Sequence, residues 1–249
     1  MLQITDEYLD DLMVRMAHHS TAIEGNSLTQ GETKSVLIDN YIPRAMDMRE
    51  LHEVLNYKNL MPVFKEAISN RQEITAEFIK NLHRILCYEA IEGVPGEFKK
   101  IPNMVIGAAF EPTPPYRVST DLEEWRRNLD AQLKVACGDN ATIVEAICRQ
   151  HLNFEHIHPF SDGNGRVGRA LMVYTCLMEK IVPIVIPVER KKEYINYLNN
   201  DNVTGLAKFA ENIQLAEQVR LRGFQSGKAG KLSVQEVKNG NSALRDKQY

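Results

Sequence analysis

The stretch HPFSDGNGRVGR, residues 158–169, combines residue types that together indicate a binding site for a magnesium nucleotide. Asp162 supplies a hard oxygen ligand, which suits magnesium held with phosphates. Gly163, Asn164 and Gly165 permit unusual backbone angles, so that several N–H groups can converge on an anion. A helix that begins there adds the positive end of its dipole.

Two arginines occupy the first turn of that expected helix. Arg166 and Arg169 are three residues apart, so their side chains project from neighbouring positions. Guanidinium groups bind phosphate oxygens through pairs of parallel hydrogen bonds. A histidine, a DGNG turn or an arginine pair is usually structural when it occurs alone. Their occurrence together in this order favours a phosphate site.

A zinc site is the alternative raised by the neighbouring histidines. His151, His156 and His158 do not share one helix face, and the sequence has no HExxH or cysteine spacing typical of zinc. We therefore expect His151 and His156 to be packing residues. Phe160, an apolar residue in a polar loop, is expected to anchor the loop in the core.

The composition is typical of a soluble globular protein, and the net charge disfavours some classes of binding partner. Of 249 residues, 43% are hydrophobic and 25% are charged. The net charge of −3 gives no electrostatic case for nucleic acid or an anionic membrane as a partner. The four cysteines are scattered and read as reduced thiols, and the acidic N-terminal stretch is unlike a signal peptide. These features predict a cytoplasmic location.

The spacing of apolar residues predicts helix over most of the chain. Expected helix starts are Thr5, Thr29 with Glu32, Thr75, and Thr120 with Glu123. Gly25 is the expected end of the first helix. Further helices are predicted over 48–69, 141–157, 166–180, 189–198 and 206–222. The proline-rich segment 93–118 contains the β-like run MVIGAAF and is predicted to be a loop with a hairpin.

The stretch HPFSDGNGRVGR resembles the signature of Fic domain proteins, HPFx(D/E)GNGRxxR, at every fixed position. The resemblance extends from about residue 20 to residue 216. It implies an all-α, Fic-type helical bundle with a β-hairpin flap. The expected organisation is an N-terminal inhibitory segment (1–40), a Fic core (41–222) and a mobile or docking tail (223–249), in which LSVQEV is a candidate strand.

The resemblance also implies a reaction, the transfer of AMP from ATP to a Ser, Thr or Tyr hydroxyl of a target protein. His158 would be the general base for that hydroxyl. Asp162 would hold Mg²⁺ on the α- and β-phosphates, and Arg166 and Arg169 would bind the outer phosphates. The implied nucleotide-binding residues are Gly163, Asn164, Gly165, Arg166, Val167, Gly168 and Arg169, with Tyr194 and Asn202 (or Asn200) at adenine-binding positions.

Two further stretches also resemble functional segments of Fic domain proteins. MVIGAAFEPTPPYRV resembles the flap that adds an extended target segment as a strand, with Val105, Ile106 and Gly107 at its edge. The implied partner is a target protein presenting such a segment; self-modification and a homodimer are also implied. STAIEGN, residues 20–26, resembles the inhibitory motif (S/T)xxxE(G/N). It implies that Glu24, oriented by Ser20, occupies the donors of Arg169 that the ATP γ-phosphate needs.

Several alternatives stay open. The same fold can support AMP removal, with Glu24 orienting a water, and phosphocholine or phosphate transfer. Gly165 replaces the lysine of phosphorylating relatives, the death-on-curing toxins, and so favours AMP transfer. A nucleotide-sensing module without chemistry is disfavoured because His158 and Asp162 are both present. A toxin inhibited by a separate antitoxin is disfavoured by the built-in STAIEGN.

Overall fold

The computed structural model describes residues 4–105 and 110–226. In these ranges the chain forms α-helices and loops without any strand, and the all-α prediction is confirmed. The helices are α1 (Asp6–Glu24), α2 (Gln30–Leu37), α3 (Met48–Ser69), α4 (Ala76–Leu86), α5 (Val118–Ala136), α6 (Asn140–Ile157), α7 (Asn164–Met178), α8 (Lys191–Asn199) and α9 (Val203–Gln225). No helix of the described part has both the length and the apolar composition needed to cross a bilayer.

Most of the predicted helix ends are confirmed by their hydrogen bonds. The Thr5 hydroxyl accepts from the N–H of Tyr8, and Thr29 and Glu32 form a reciprocal capping box. Gly25 ends α1 in the left-handed conformation, with φ of 110°, where a side chain would be strained.

The capping box predicted for Thr120 and Glu123 is wrong. Helix α5 already begins at Val118, so Thr120 lies inside it. A 3₁₀ turn over Pro115–Arg117 leads directly into the helix. Proline has a helical φ and no N–H to satisfy, so the helix can start here without a side-chain cap.

Helix α7 lies at the centre of the fold, and its side chains are buried along nearly its whole length. It packs against α6, α4, α3 and α1. Helices α6 and α7 are consecutive and joined by residues 158–163, so the connecting loop is held between two buried helices. Because α1 also packs on α7, the C-terminal end of α1 reaches the first turn of α7.

Helix α1 is tied to α9 by a buried ion pair. Arg15 donates two hydrogen bonds to the Glu217 carboxylate, of 2.7 and 2.6 Å, and the Tyr8 hydroxyl donates a third of 2.5 Å. The Arg15 Nε–H donates to Asp11 at 2.7 Å. This network fixes the position of α1 along the bundle.

Two predictions fall partly outside the described residues. Ile106 and Gly107 of the expected flap lie there, and Val105 belongs to a segment without regular structure. The hairpin therefore stays a prediction. Helix α9 continues to Gln225, and LSVQEV lies outside the described residues.

Candidate nucleotide-binding and active site

His158 ends helix α6 in a conformation that is unusual for its residue type. Its φ is 48°, in the left-handed region, and the following Pro159 cannot continue the helix. A non-glycine residue in this region costs about 1–3 kcal/mol, and it persists only where its surroundings hold it. The turn directs the chain away from α6 and into the loop that leads to α7.

The imidazole of His158 is prepared to accept a proton. Its Nδ1 lies 3.2 Å from the carbonyl oxygen of Glu155, and a carbonyl can only accept, so the proton of the neutral ring resides on Nδ1. Nε2 then carries a lone pair. Burial lowers the pKa of His158 to about 4, and the nearby Lys99 adds to this effect. The ring is therefore neutral near pH 7, as a general base must be.

The loop after His158 is anchored by Phe160, as predicted. Phe160 is fully buried, and its ring stacks on His83 with 3.7 Å between the ring centroids. The side chain of Asn164 is committed to the same loop: its amide accepts from the Phe160 N–H and donates to the Phe160 carbonyl, both at 2.8 Å. The Asn164 side chain thus holds the loop closed.

The start of α7 has the features of an anion site. Gly163 adopts φ of 78°, and a Cβ there would collide with the Cys87 sulfur. In the part of the chain that the structure describes, no side chain caps the first N–H groups of α7. Such N–H groups, together with the helix dipole, favour a phosphate at this position.

The first signature arginine has unmet hydrogen-bonding capacity. Arg166 is 2% exposed, and its Nε and Nη1 have no hydrogen-bond partner among the described residues. Its nearest carboxylates, Asp162 at 3.6 Å and Glu53 at 3.7 Å, are beyond hydrogen-bonding distance. A buried guanidinium with unused donors is unfavourable, and it indicates that an anion belongs beside it.

The second signature arginine is occupied by the N-terminal helix. Arg169 donates from Nε to the Ser20 hydroxyl at 3.0 Å, and from Nη2 to the Ser20 carbonyl at 3.0 Å and to Glu24 Oε1 at 2.5 Å. Although burial acts in the opposite direction, Arg169 lowers the pKa of Glu24, so this carboxylate is charged at neutral pH. The Glu24 side chain remains 41% exposed, so it can be reached from solvent.

Gly165 provides the space in which Glu24 and Arg169 meet. A Cβ at this position would lie 2.5 Å from Glu24 Oε1 and 2.8 Å from Arg169 Nη1. Both distances are too short for a methyl group. A side chain at residue 165 would therefore require the ends of the Glu24 and Arg169 side chains to shift.

Asp162 is the one signature carboxylate that can face a metal. Its side chain is 61% exposed, and one of its oxygens accepts from the N–H of Gly163. The described residues contain no cluster of three or more His, Cys, Asp or Glu side chains that could hold a metal alone. A single exposed carboxylate fits magnesium, which commonly takes one or two protein carboxylates and completes its coordination with phosphates and water.

Several predicted residues are not brought to the anion site. Val167 is fully buried in the core, and its N–H bonds to the Gly163 carbonyl within the helix. Gly168 faces α6, where a Cβ would lie 2.7 Å from Glu155 Oε1. Tyr194 is 1% exposed and bonds to His151 at 2.7 Å, while Asn202 caps α9. Contact of Tyr194 or Asn202 with adenine stays a prediction.

The sequence did not indicate the residues outside 158–169 that hydrogen-bond to the loop between α6 and α7 or to the segment after Glu24. His83 accepts from the Gly96 N–H through Nδ1, at 2.7 Å, and donates from Nε2 to the Asp162 carbonyl at 3.0 Å. Glu53 accepts from Asn26, two residues after Glu24, at 2.9 Å. These residues lie on helices distant in sequence, and nothing in their local pattern distinguishes them from ordinary helix positions.

The neighbouring histidines are packing residues, as predicted. His151 is 3% exposed, and burial lowers its pKa to about 3. The His156 ring packs against the Phe110 ring at a tilt of 38°, and His156 lies 2.9 Å from Asp201. Cys87, Cys148 and Cys176 are buried, Cys137 is exposed, and all four are free thiols.

Part of the chain matches a known family model, and the whole described fold resembles solved structures. Residues 73–176, which include the whole loop between α6 and α7, match the model of the Fic/DOC family. A Fic domain-containing signaling protein from Bacteroides thetaiotaomicron superposes with a TM-score of 0.78 over 88% of each chain, at 22% identity. Fic-1 from C. elegans gives 0.71 over 90% of this chain and 64% of its own, at 23% identity. The fold is that of the Fic proteins.

Two curated relatives carry the same activity in their names. The chain is 29% identical over 198 residues to the protein adenylyltransferase Fic of Drosophila grimshawi, and 28% identical to that of Drosophila persimilis. Each match covers 79% of this chain, but 39% and 37% of the respective relative. The chain thus spans about two fifths of the length of these relatives.

Proposed function

We propose that this chain is a protein adenylyltransferase, which transfers AMP from ATP to a hydroxyl side chain of a target protein. The observation that carries the proposal is the buried Arg166 with unmet donors beside the uncapped start of α7. A phosphate chain would satisfy both. The adenylyltransferase names of the similar Drosophila proteins support ATP as the co-substrate.

In the proposed reaction the target hydroxyl oxygen attacks the α-phosphorus of ATP. The bond from the α-phosphorus to the bridging oxygen breaks, and pyrophosphate leaves. His158 Nε2 takes the hydroxyl proton, since Nδ1 holds its own proton against the Glu155 carbonyl. The N–H groups at the start of α7 stabilise the negative charge that develops on the α-phosphoryl oxygens.

Asp162 would hold Mg²⁺, which neutralises charge on the α- and β-phosphates when it is bound. Arg166 would bind the outer phosphates through donors that have no protein partner. The target would present an extended segment to the flap that includes Val105, and a segment of this chain could serve in self-modification.

We further propose that Glu24 inhibits the transfer. The carboxylate lies on Arg169 Nη2 and therefore takes a donor that the γ-phosphate of a correctly placed ATP would use. ATP that binds without Arg169 would have its α-phosphorus out of line with the target hydroxyl, and in-line transfer is sensitive to such displacement. AMP removal, in which Glu24 would orient a water, is the second outcome that the test below distinguishes.

The experiment uses ATP labelled on the α-phosphate, with Mg²⁺ and cell lysate. Wild type, Glu24→Gly and Glu24→Gly/His158→Ala are compared, and Glu24→Gly/His156→Ala serves as the matched histidine control. We expect protein-bound α-label with Glu24→Gly and with the His156 control, and none with the His158 variant. Protein-bound label from γ-labelled ATP would mean phosphorylation instead. Absence of transfer, with loss of AMP from a pre-modified target, would assign AMP removal.

A further inference from the structure

The carbonyl groups on both sides of His158 are held by one residue outside the signature. The N–H of Lys99 donates to the Pro159 carbonyl at 2.9 Å, and its ammonium group donates to the Ile157 carbonyl at 3.3 Å. Ile157 and Pro159 are the residues directly before and after the left-handed His158. Lys99 therefore contacts the backbone at the two points where the strained conformation of His158 would otherwise relax.

A second side chain completes this support. The ammonium group of Lys99 also donates to Asn103 Oδ1 at 2.7 Å, and Asn103 Nδ2 donates to the Phe160 carbonyl at 2.9 Å. The carbonyls of residues 157, 159 and 160 are thus all held from the segment 99–103. The same segment leads to Val105, at the edge of the predicted flap.

The burial of Lys99 is unusual for its residue type. It is 5% exposed, and it forms no ion pair among the described residues. Burial lowers its pKa to about 8, so the ammonium form predominates at neutral pH. A buried cation without a counter-ion is unfavourable for stability. Stability therefore does not account for the buried Lys99. Its contacts with the His158 loop indicate a role in holding that loop.

We propose that Lys99 is a positioning residue for His158, and that Lys99 and Asn103 together couple the segment leading to the flap to the catalytic loop. This positioning role depends on the proposed function in one respect, namely that His158 is the general base. Lys99 would act on the placement of the imidazole. It would not act on the binding of ATP, whose phosphates lie at residues 163–169.

The test compares Lys99→Met and Asn103→Ala with Lys100→Met, all in the Glu24→Gly background. Lys100 is the matched control, since its side chain is 81% exposed and pairs with Glu97 at the surface. We expect Lys99→Met to lower kcat for α-label transfer by roughly 10-fold or more, with the Kd for Mg-ATP changed less than about twofold. Asn103→Ala should lower kcat less, and Lys100→Met should change neither value. Lys99→Arg, which keeps the charge, should restore part of the loss.

A second measurement does not depend on activity. The charged groups that face His158 are Lys99, Glu24 from α1 and Asp162 from its own loop. NMR titration of the His158 ring should show a higher pKa in Lys99→Met than in the parent, because a cation and part of the enclosure are lost. Asn103→Ala should give a smaller rise, since no charge is removed.

The outcomes separate the two proposals. An unchanged His158 titration in folded Lys99→Met, or equal kcat values for Lys99→Met and Lys100→Met, would overturn the positioning role. A loss of ATP affinity that matches the loss of kcat would make Lys99 a phosphate ligand instead. If no variant transfers AMP but Asn103→Ala, which removes no charge, still shifts the His158 titration, the positioning role stands and the proposed reaction fails.

Discussion

Glu24 Oε1 lies 2.5 Å from Arg169 Nη2, although 145 residues separate the two in the sequence. The contact joins the last turn of α1 to the second turn of α7. Glutamate is unfavourable at the C-terminal end of an isolated helix, because the helix dipole is negative there. The Arg169 guanidinium offsets this repulsion, and the open position at Gly165 makes room for the pair.

Replacing Glu24 by glycine should increase AMP transfer by roughly 10-fold or more, because Arg169 then regains the donor for the γ-phosphate. Initial rates of α-label incorporation measure the change. Asp10→Ala is the control, since it removes an exposed carboxylate of the same helix far from the site. Equal rates for the Glu24 variant and wild type, on targets that accept the label, would exclude the inhibitory role.

Removal of Arg15 should destabilise the fold strongly, because it leaves the Glu217 carboxylate buried and unpaired. We expect Arg15→Met to lower the free energy of unfolding by about 3–5 kcal/mol, and Arg15→Met/Glu217→Met to recover much of that loss. Urea unfolding measures both. The control is Lys65→Met, which breaks the exposed pair with Asp6 and should cost no more than about 1 kcal/mol. A similar small effect for Arg15→Met would contradict the role of this network.

Two glycines in helices should respond oppositely to alanine. At Gly168 the new Cβ would lie 2.7 Å from Glu155 Oε1 and 3.0 Å from the His151 ring, so we expect a loss of about 1–3 kcal/mol. At Gly31, in α2, a Cβ meets nothing within 4 Å, and alanine should stabilise by up to about 1 kcal/mol. Chemical denaturation of both variants tests the expectation. Equal stabilities would mean that α6 can move away from Gly168.

Stability should fall as the pH is lowered from 6.5 towards 4. Burial lowers the pKa of His83 and His158 to about 4, and that of His151 to about 3. Between these values and 6.5 the unfolded chain binds protons that the folded chain does not. Each such histidine therefore removes up to about 1.4 kcal/mol per pH unit.

Glu155 should act against this trend. Burial raises its pKa to about 7, so between pH 4.5 and 7 the folded state binds the extra proton and this group stabilises as the pH falls. Glu155→Gln should therefore steepen the acid loss of stability. Urea midpoints at pH 7 and pH 5, for wild type and Glu155→Gln, provide the measurement. A wild-type protein that is more stable at pH 5 than at pH 7 would refute the prediction.

Local signals in the sequence determined the helical class, most helix ends and the candidate phosphate-binding stretch. Thr5, Thr29 and Gly25 act through hydrogen bonds within a few residues, so their effect can be inferred without knowing the fold. The proposed anion site likewise uses consecutive backbone and side-chain groups, those from Asp162 to Arg166. The start of α5 was misplaced because the proline-led turn before it, rather than a side-chain cap, begins the helix.

Only the tertiary structure decided which distant residues complete the site. Tyr194 and Gly168 turned out to face the interior, whereas His83, Lys99 and Asn103 were found to hold the carbonyls of the loop around His158. From the sequence, the pairing of Glu24 with Arg169 was implied only by the resemblance to Fic proteins. The structure shows that the packing of α1 on α7 brings the two side chains together. The physical reason is that these contacts join segments tens of residues apart. Their partners are set by how buried helix faces pack, which no short stretch of sequence encodes.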